Sequence, residues 1–171
     1  GRLDRARRLL DPAARERRGA LLAAARSVYG DDAFDPQAAA RSVLAGSSAV
    51  GDAAREREEE TVKDLDLTPR EREQRVKRAQ RGAEREELLA SLDELAAWYR
   101  DLVAVAVGAE SAVLHADRVA ELRADVSAGN AAGAERAAEL VRDAWRVVEK
   151  FNVNPDLWLG ALFVRLRRAF T

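Results

Sequence analysis

The chain of 171 residues has no cysteine, no methionine and a single histidine. Without cysteine there is no disulfide, no thiolate nucleophile and no cysteine-ligated metal, which suits a reducing compartment. With one histidine, zinc sites built on several imidazoles are excluded, and no Gly-x-Ser-x-Gly elbow offers His115 a serine partner, so it reads as a structural residue. The missing methionine includes an initiator, so a piece of a longer polypeptide is expected. No apolar run approaches the ~20 residues that cross a bilayer, and Gly1-Arg2-Leu3-Asp4 opens no signal-peptide core. The expectation is a cytoplasmic chain with no membrane partner. A glycine-rich loop ending in Lys-Ser or Lys-Thr is also absent, so the chain by itself is not read as an ATPase or any other enzyme.

Charge of one sign is lacking as well. Lys and Arg number 29 against 30 Asp and Glu, a formal charge of -1, which gives no global basic excess for holding a nucleic-acid backbone. The basic clusters at Arg15 to Arg18 and Arg70 to Arg81 are crossed by acidic residues and carry no aromatic for base stacking. Paired carboxylates give no acid–base site either. Glu58 and Glu59, like Glu86 and Glu87, diverge around a helix, while Glu56 and Glu60 share a face that has little apolar cover. No residue is assigned to catalysis, a cofactor or a metal.

What is present is helix. Ala, Arg, Glu and Leu dominate, Ile is absent, and no segment alternates apolar and polar residues over a strand's length. Asp11-Pro12 is a cap followed by a first-turn proline, and residues 12 to 29 form a helix with Leu21, Leu22, Ala25 and Val28 inward. Asp35-Pro36 repeats the start signal, and this second helix is expected to end near Gly46, with Ser47, Ser48 and Gly51 as a connection. A charged, solvated helix follows from Asp52 to Asp66.

Thr68-Pro69-Arg70-Glu71 fits a capping box and starts a long helix. Its stripe of Leu88, Leu92, Leu95, Tyr99, Leu102 and Ala106 ends at Gly108, and the same register carried backwards meets Arg85 and Arg81. Residues 69 to 85 therefore project from the core or lie on its surface as a charged hairpin with the preceding helix. Helices near 116 to 127, 132 to 150 and 155 to 170 complete an all-α fold. In the last, Asn154 caps, Pro155 takes the first position and Asp156 complements the dipole. One face holds Leu159, Leu162, Phe163, Leu166 and Phe170, while Leu157, Trp158, Ala161 and Val164 cover much of the rest. That width suits a central core helix or one that also packs on another subunit. Arg165, Arg167 and Arg168 read as caps of its C-terminus.

Asn152-Val153-Asn154-Pro155 with the helix it opens, Trp98-Tyr99-Arg100-Asp101-Leu102 within the segment Leu95 to Val107, and Leu114 to Asp117 with Leu122 together resemble the bacterial clamp-loader family of DNA polymerase III. The resemblance is to the delta-prime branch. It implies that residues 12–171 are a helical collar-type oligomerisation domain with one long, partly charged helix or hairpin, and residues 1–11 the end of a helical lid domain. Hydrolysing relatives carry a nucleotide-sensing Arg in a Gly-Ser-Leu-Arg-Asp-Ala type motif there. Aligned on Gly1, Leu3 and Ala6, this chain has Asp4 at that position, as suits the non-hydrolysing branch.

The resemblance further implies a non-catalytic assembly role within a holoenzyme that is a DNA-directed DNA polymerase. Partners would be the gamma/tau and delta subunits, with the sliding clamp and primed DNA met only through the whole complex, at the replisome on the nucleoid. Tyr99, Leu102, Leu157, Trp158, Ala161, Phe163 and Val164 are the candidate interface. Two alternatives stand beside it: the collar domain of gamma/tau, and a helical coiled-coil adaptor that binds through the charged 52–87 hairpin.

Overall fold

The structure, a computed structural model, describes residues 10–151 and 154–171. The lid-like segment with Gly1, Leu3, Asp4 and Ala6, and the Asn152-Val153 pair, lie outside the described residues. Among those described, six α-helices and two short 3-10 turns account for the regular structure, and no strand occurs: α1 Pro12–Gly30, α2 Pro36–Thr61, α3 Pro69–Ala106, α4 Val119–Ser127, α5 Ala134–Lys150 and α6 Pro155–Ala169. The 3-10 turns, Glu110–Ala112 and Ala116–Arg118, lie between α3 and α4. The fold is all-α.

Local chemistry sets the helix starts. Asp11 and Asp35 accept from the amides of Ala13 and Gln37 at 3.0 and 2.8 Å, and each precedes a proline at the first position. Thr68 and Glu71 make both halves of the capping box that starts α3. Asn154 accepts from the Asp156 amide at 3.1 Å to start α6. Two helix ends share another device: the amides of Gly108 and Ala109 bond back to Val105 and Ala104, and those of Gly129 and Asn130 to Val126 and Asp125. Both glycines have positive φ, 77° and 87°, as this left-handed cap requires.

α3 organises the rest. At 38 residues it is about 57 Å long at 1.5 Å per residue. Its first half pairs antiparallel with the end of α2, and its second half is surrounded by α1, α4 and α5, while α6 closes over α1, α2 and α5. One core cluster joins the expected Leu21, Leu22, Ala25 and Val28 of α1 to Leu88, Leu92, Leu95, Tyr99 and Leu102 of α3 and to Leu159, Leu162, Phe163 and Leu166 of α6. Ala106, the last member of the α3 stripe, is exposed where the helix leaves the core.

The expected break at Gly46 to Gly51 does not occur, and α2 runs unbroken from Pro36 to Thr61. An isolated glycine costs a helix only about 1 kcal/mol, which packing readily offsets. Gly51 is buried where a Cβ would run into the Glu84 side chain of α3, so its smallness admits the neighbouring helix. Ser47 is buried too and donates to the Val43 carbonyl one turn back at 3.2 Å, which satisfies its hydroxyl within the helix. Gly133 serves a similar close approach. It stands before α5 against the Ala169 carbonyl of α6.

Candidate functional site

The seven candidate interface residues divide into two sets. Tyr99, Leu102 and Phe163 are fully buried, so they build the core and offer nothing to a partner. The physical reason is that α6 and the second half of α3 bury the same faces that the stripe pattern had assigned to both duties. The Tyr99 hydroxyl donates to the Ala25 carbonyl at 3.2 Å, and its ring meets that of Phe170 with centroids 5.7 Å apart. Leu157, Trp158, Ala161 and Val164 lie on the outer side of α6. Leu157 is 71% exposed, Ala161 is exposed, and Trp158 and Val164 are half-buried. Leu157, Ala161 and Val164, at four- and three-residue steps, form one stripe, and exposed Arg165 and Arg168 lie beside its later turns.

The C-terminal arginines divide likewise. Arg167 does not cap its own helix: its guanidinium donates to the Val28 carbonyl of α1 at 2.7 Å, an acceptor left open in the last turn of that helix. Arg85 acts in the same way across another contact, donating to the Glu149 carbonyl near the end of α5.

His115 is a fully buried node. Nδ1 lies 2.7 Å from Asp101 Oδ2 and Nε2 lies 3.1 Å from Glu94 Oε1, while the ring edge packs on Trp98 at 5.3 Å and 83°. Burial opposes the charged ring, but hydrogen bonds to Asp101 and Glu94 outweigh it and hold the His115 pKa above its ordinary value. The imidazolium then donates from both nitrogens. Burial likewise opposes the Asp101 carboxylate, and bonds from His115 and Arg100 outweigh that penalty and lower its pKa. Asp101 also accepts from the Leu114 and His115 amides at 2.7 and 2.8 Å, which fixes the turn between α3 and α4 to α3.

α1 completes the network with two arginines. Arg18 donates to Glu94 at 2.5 Å and to Asp117 at 2.7 and 3.0 Å. Arg26 forks onto buried Asp125 of α4 through two bonds of 2.8 Å and reaches Glu121 at 2.9 Å. The Tyr29 hydroxyl donates to Asp125 at 2.7 Å and accepts from the Trp98 indole at 3.0 Å. Burial first, and then the Asp125 bond, push the Tyr29 pKa upward, so it remains a neutral donor.

Such a constellation of Arg, Glu, His and Asp resembles catalytic machinery in composition but not in access. Both imidazole nitrogens are engaged and the ring is sealed from solvent, so the network orients helices. Two signals in the sequence bear on it. Glu94, Trp98 and Asp101 follow one another at four- and three-residue steps on a second face of α3, and His115 lies shortly beyond that helix. The Arg15 to Arg18 cluster is likewise used internally, with Arg17 on Glu87 at 3.3 Å. Among the described residues no group of three or more His, Cys, Asp or Glu side chains is arranged to hold a metal, and no helix is long and apolar enough to cross a membrane.

Comparison with protein-family models, with curated proteins and with solved structures gave no match.

Proposed function

We propose that this chain is a non-catalytic assembly domain, and that its place is the collar of a bacterial clamp loader as a delta-prime-type subunit. The observation that carries the assembly reading is α6, which buries Leu159, Leu162, Phe163 and Leu166 in the core and still presents Leu157, Trp158, Ala161 and Val164 outward. An apolar stripe with an exposed leucine suits a helix that packs against a second protein. The finer reading rests on the resemblance of Leu95 to Val107, Leu114 to Asp117 and the helix after Asn154. It is supported by the way these segments meet: Trp98 packs on His115 and Tyr99 on Phe170. In this role the domain holds its neighbours, gamma/tau and delta, in register, and nucleotide turnover and clamp opening belong to other domains of the complex.

The test uses Leu157→Glu combined with Ala161→Glu, both at exposed positions, mixed with gamma/tau and delta subunits. Size-exclusion chromatography with light scattering should show loss of the hetero-complex while circular dichroism shows an intact helical fold. Undiminished assembly would remove the reading. Retained assembly by the α6 variant together with self-association through residues 52–87 would favour the helical adaptor instead.

A further inference from the structure

We infer that the outward face of the first half of α3 is a binding surface for the phosphate backbone of double-stranded nucleic acid. In the sequence, residues 69–85 hold seven Lys or Arg crossed by three Glu, an arrangement without an evident sign. On the helix the charges separate. Arg70, Gln74, Arg78, Arg81 and Arg85 follow one another at three- and four-residue spacing with Lys77 beside Arg78, all six are exposed, and all but Arg70 line one open depression of about 500 Å³ together with Gly82. Glu84 turns toward α2, where it lies against Gly51, and Arg75 pairs with Glu58 on that same side. Glu73 lies at the margin, paired with Lys77, and Glu71 is held in the capping box.

The face is the upstream continuation of the core stripe, since Leu88 and Leu92 follow Arg85 in the same register and are buried. Upstream of that cover the one ion pair on the face is Lys77 with Glu73 of the same helix, among the described residues. Among the described residues Arg70, Arg78 and Arg81 carry no ion pair. Acidic groups of α2, where Asp52, Glu56, Glu58, Glu59 and Glu60 outnumber Arg55 and Arg57, lie on the helix paired with the opposite side of α3. Of these, Glu59 lines one depression with Lys77 and Glu58 pairs with Arg75, so α2 borders the cationic face along its Lys77 edge and leaves Arg70, Arg78 and Arg81 without an ion pair.

From Arg70 to Arg85 the helix rises about 22 Å, about two thirds of a duplex turn along the axis, a length over which both strands present phosphates. Four of its five cations are arginines, whose planar fork fits phosphate oxygens. No aromatic or large apolar side chain lies among them, so the face lacks stacking platforms for unpaired bases and anchors for a docking peptide helix. A regular polyanion read through its backbone is what remains. This inference does not rest on the clamp-loader reading.

The test is fluorescence anisotropy with the full chain and a labelled DNA duplex of arbitrary sequence, about 20 base pairs long, titrated from about 50 mM salt upward. The wild-type chain should bind with a log–log salt slope of about -4.5 if all five cations engage. Arg78→Glu with Arg81→Glu should weaken binding at least tenfold and bring the slope to about -2.7, as loss of two contacts requires. A charge-matched control on exposed α5 positions, Arg136→Glu with Arg142→Glu, should leave both unchanged. No binding by the wild-type chain, equal loss in the α5 control, or displacement of the duplex by poly-glutamate at equal charge concentration would each overturn the assignment. Circular dichroism of both variants establishes that the fold is retained.

Discussion

The two halves of α3 present the same helical face to opposite surroundings. From Leu88 onward it is buried beneath α5 and its neighbours, whereas from Arg70 to Arg85 it is open and cationic. One continuous helix thus changes duty within a single turn. Covered by other helices, the register must be apolar; uncovered, it carries charge that neither α2 nor the core neutralises. The body and the hairpin also use ions differently: in the body Arg18 and Arg26 are tied to carboxylates on other elements, Arg85 at the junction donates to the Glu149 carbonyl, and on the hairpin Arg78 and Arg81 have no ion pair among the described residues.

Substitutions in the two regions should therefore differ in kind. The largest effect is expected at the buried network. Asp101→Ala would leave His115 and two backbone amides without their acceptor and should cost about 3–5 kcal/mol in urea unfolding, the usual penalty for breaking a buried charge pair. Leu92→Ala, a cavity on the covered half of the stripe, should cost about 2–5 kcal/mol, whereas Arg81→Ala on the open half should stay within about 0.5 kcal/mol. A much larger loss at Arg81 would mean that the hairpin face is structural after all.

The same network has a pH signature. His115 is raised above its ordinary 6.5, so its contribution is complete below that value and is lost as pH rises through the raised one. Asp101 is lowered below its ordinary 3.8, so its contribution is present above that value and is lost as pH falls through the lowered one. The joint contribution is flat between those two ordinary values. Urea midpoints should fall as pH is taken from that plateau into the alkaline range, and His115→Gln should flatten the fall. An unchanged slope in the variant would show that another group titrates.

Glycines give the smallest contrast. Gly133→Ala pushes a methyl group against the Ala169 carbonyl and should cost about 1–3 kcal/mol, while Gly82→Ala, with open space around it on the hairpin, should stabilise by up to about 1 kcal/mol. Thermal melts of the two proteins would move in opposite directions.

Helix starts were legible because they depend on neighbours in sequence: Asp11-Pro12, Asp35-Pro36, Thr68 to Glu71 and Asn154-Pro155 all cap as read. The inward residues of α1 and the hairpin followed from periodicity. Gly46 to Gly51 misled, because a helix-breaking signal and a close-packing signal use the same residue, and only a neighbouring helix separates them. The candidate interface residues divide by burial, which the sequence did not foretell. Apolar spacing marked every apolar face of α6 but could not say that Tyr99, Leu102 and Phe163 would be wholly consumed by the core. His115 read as structural, yet its partners Asp101 and Glu94, and the arginine reaching Glu94 from α1, are joined only by tertiary packing.

The division of labour between body and hairpin can be tested in one experiment, in which wild type, the α6 variant Leu157→Glu/Ala161→Glu and the hairpin variant Arg78→Glu/Arg81→Glu are each mixed with gamma/tau and delta and weighed by light scattering. Wild type and the hairpin variant should enter the hetero-complex and the α6 variant should not. Loss of assembly in the hairpin variant with retention in the α6 variant would contradict the account.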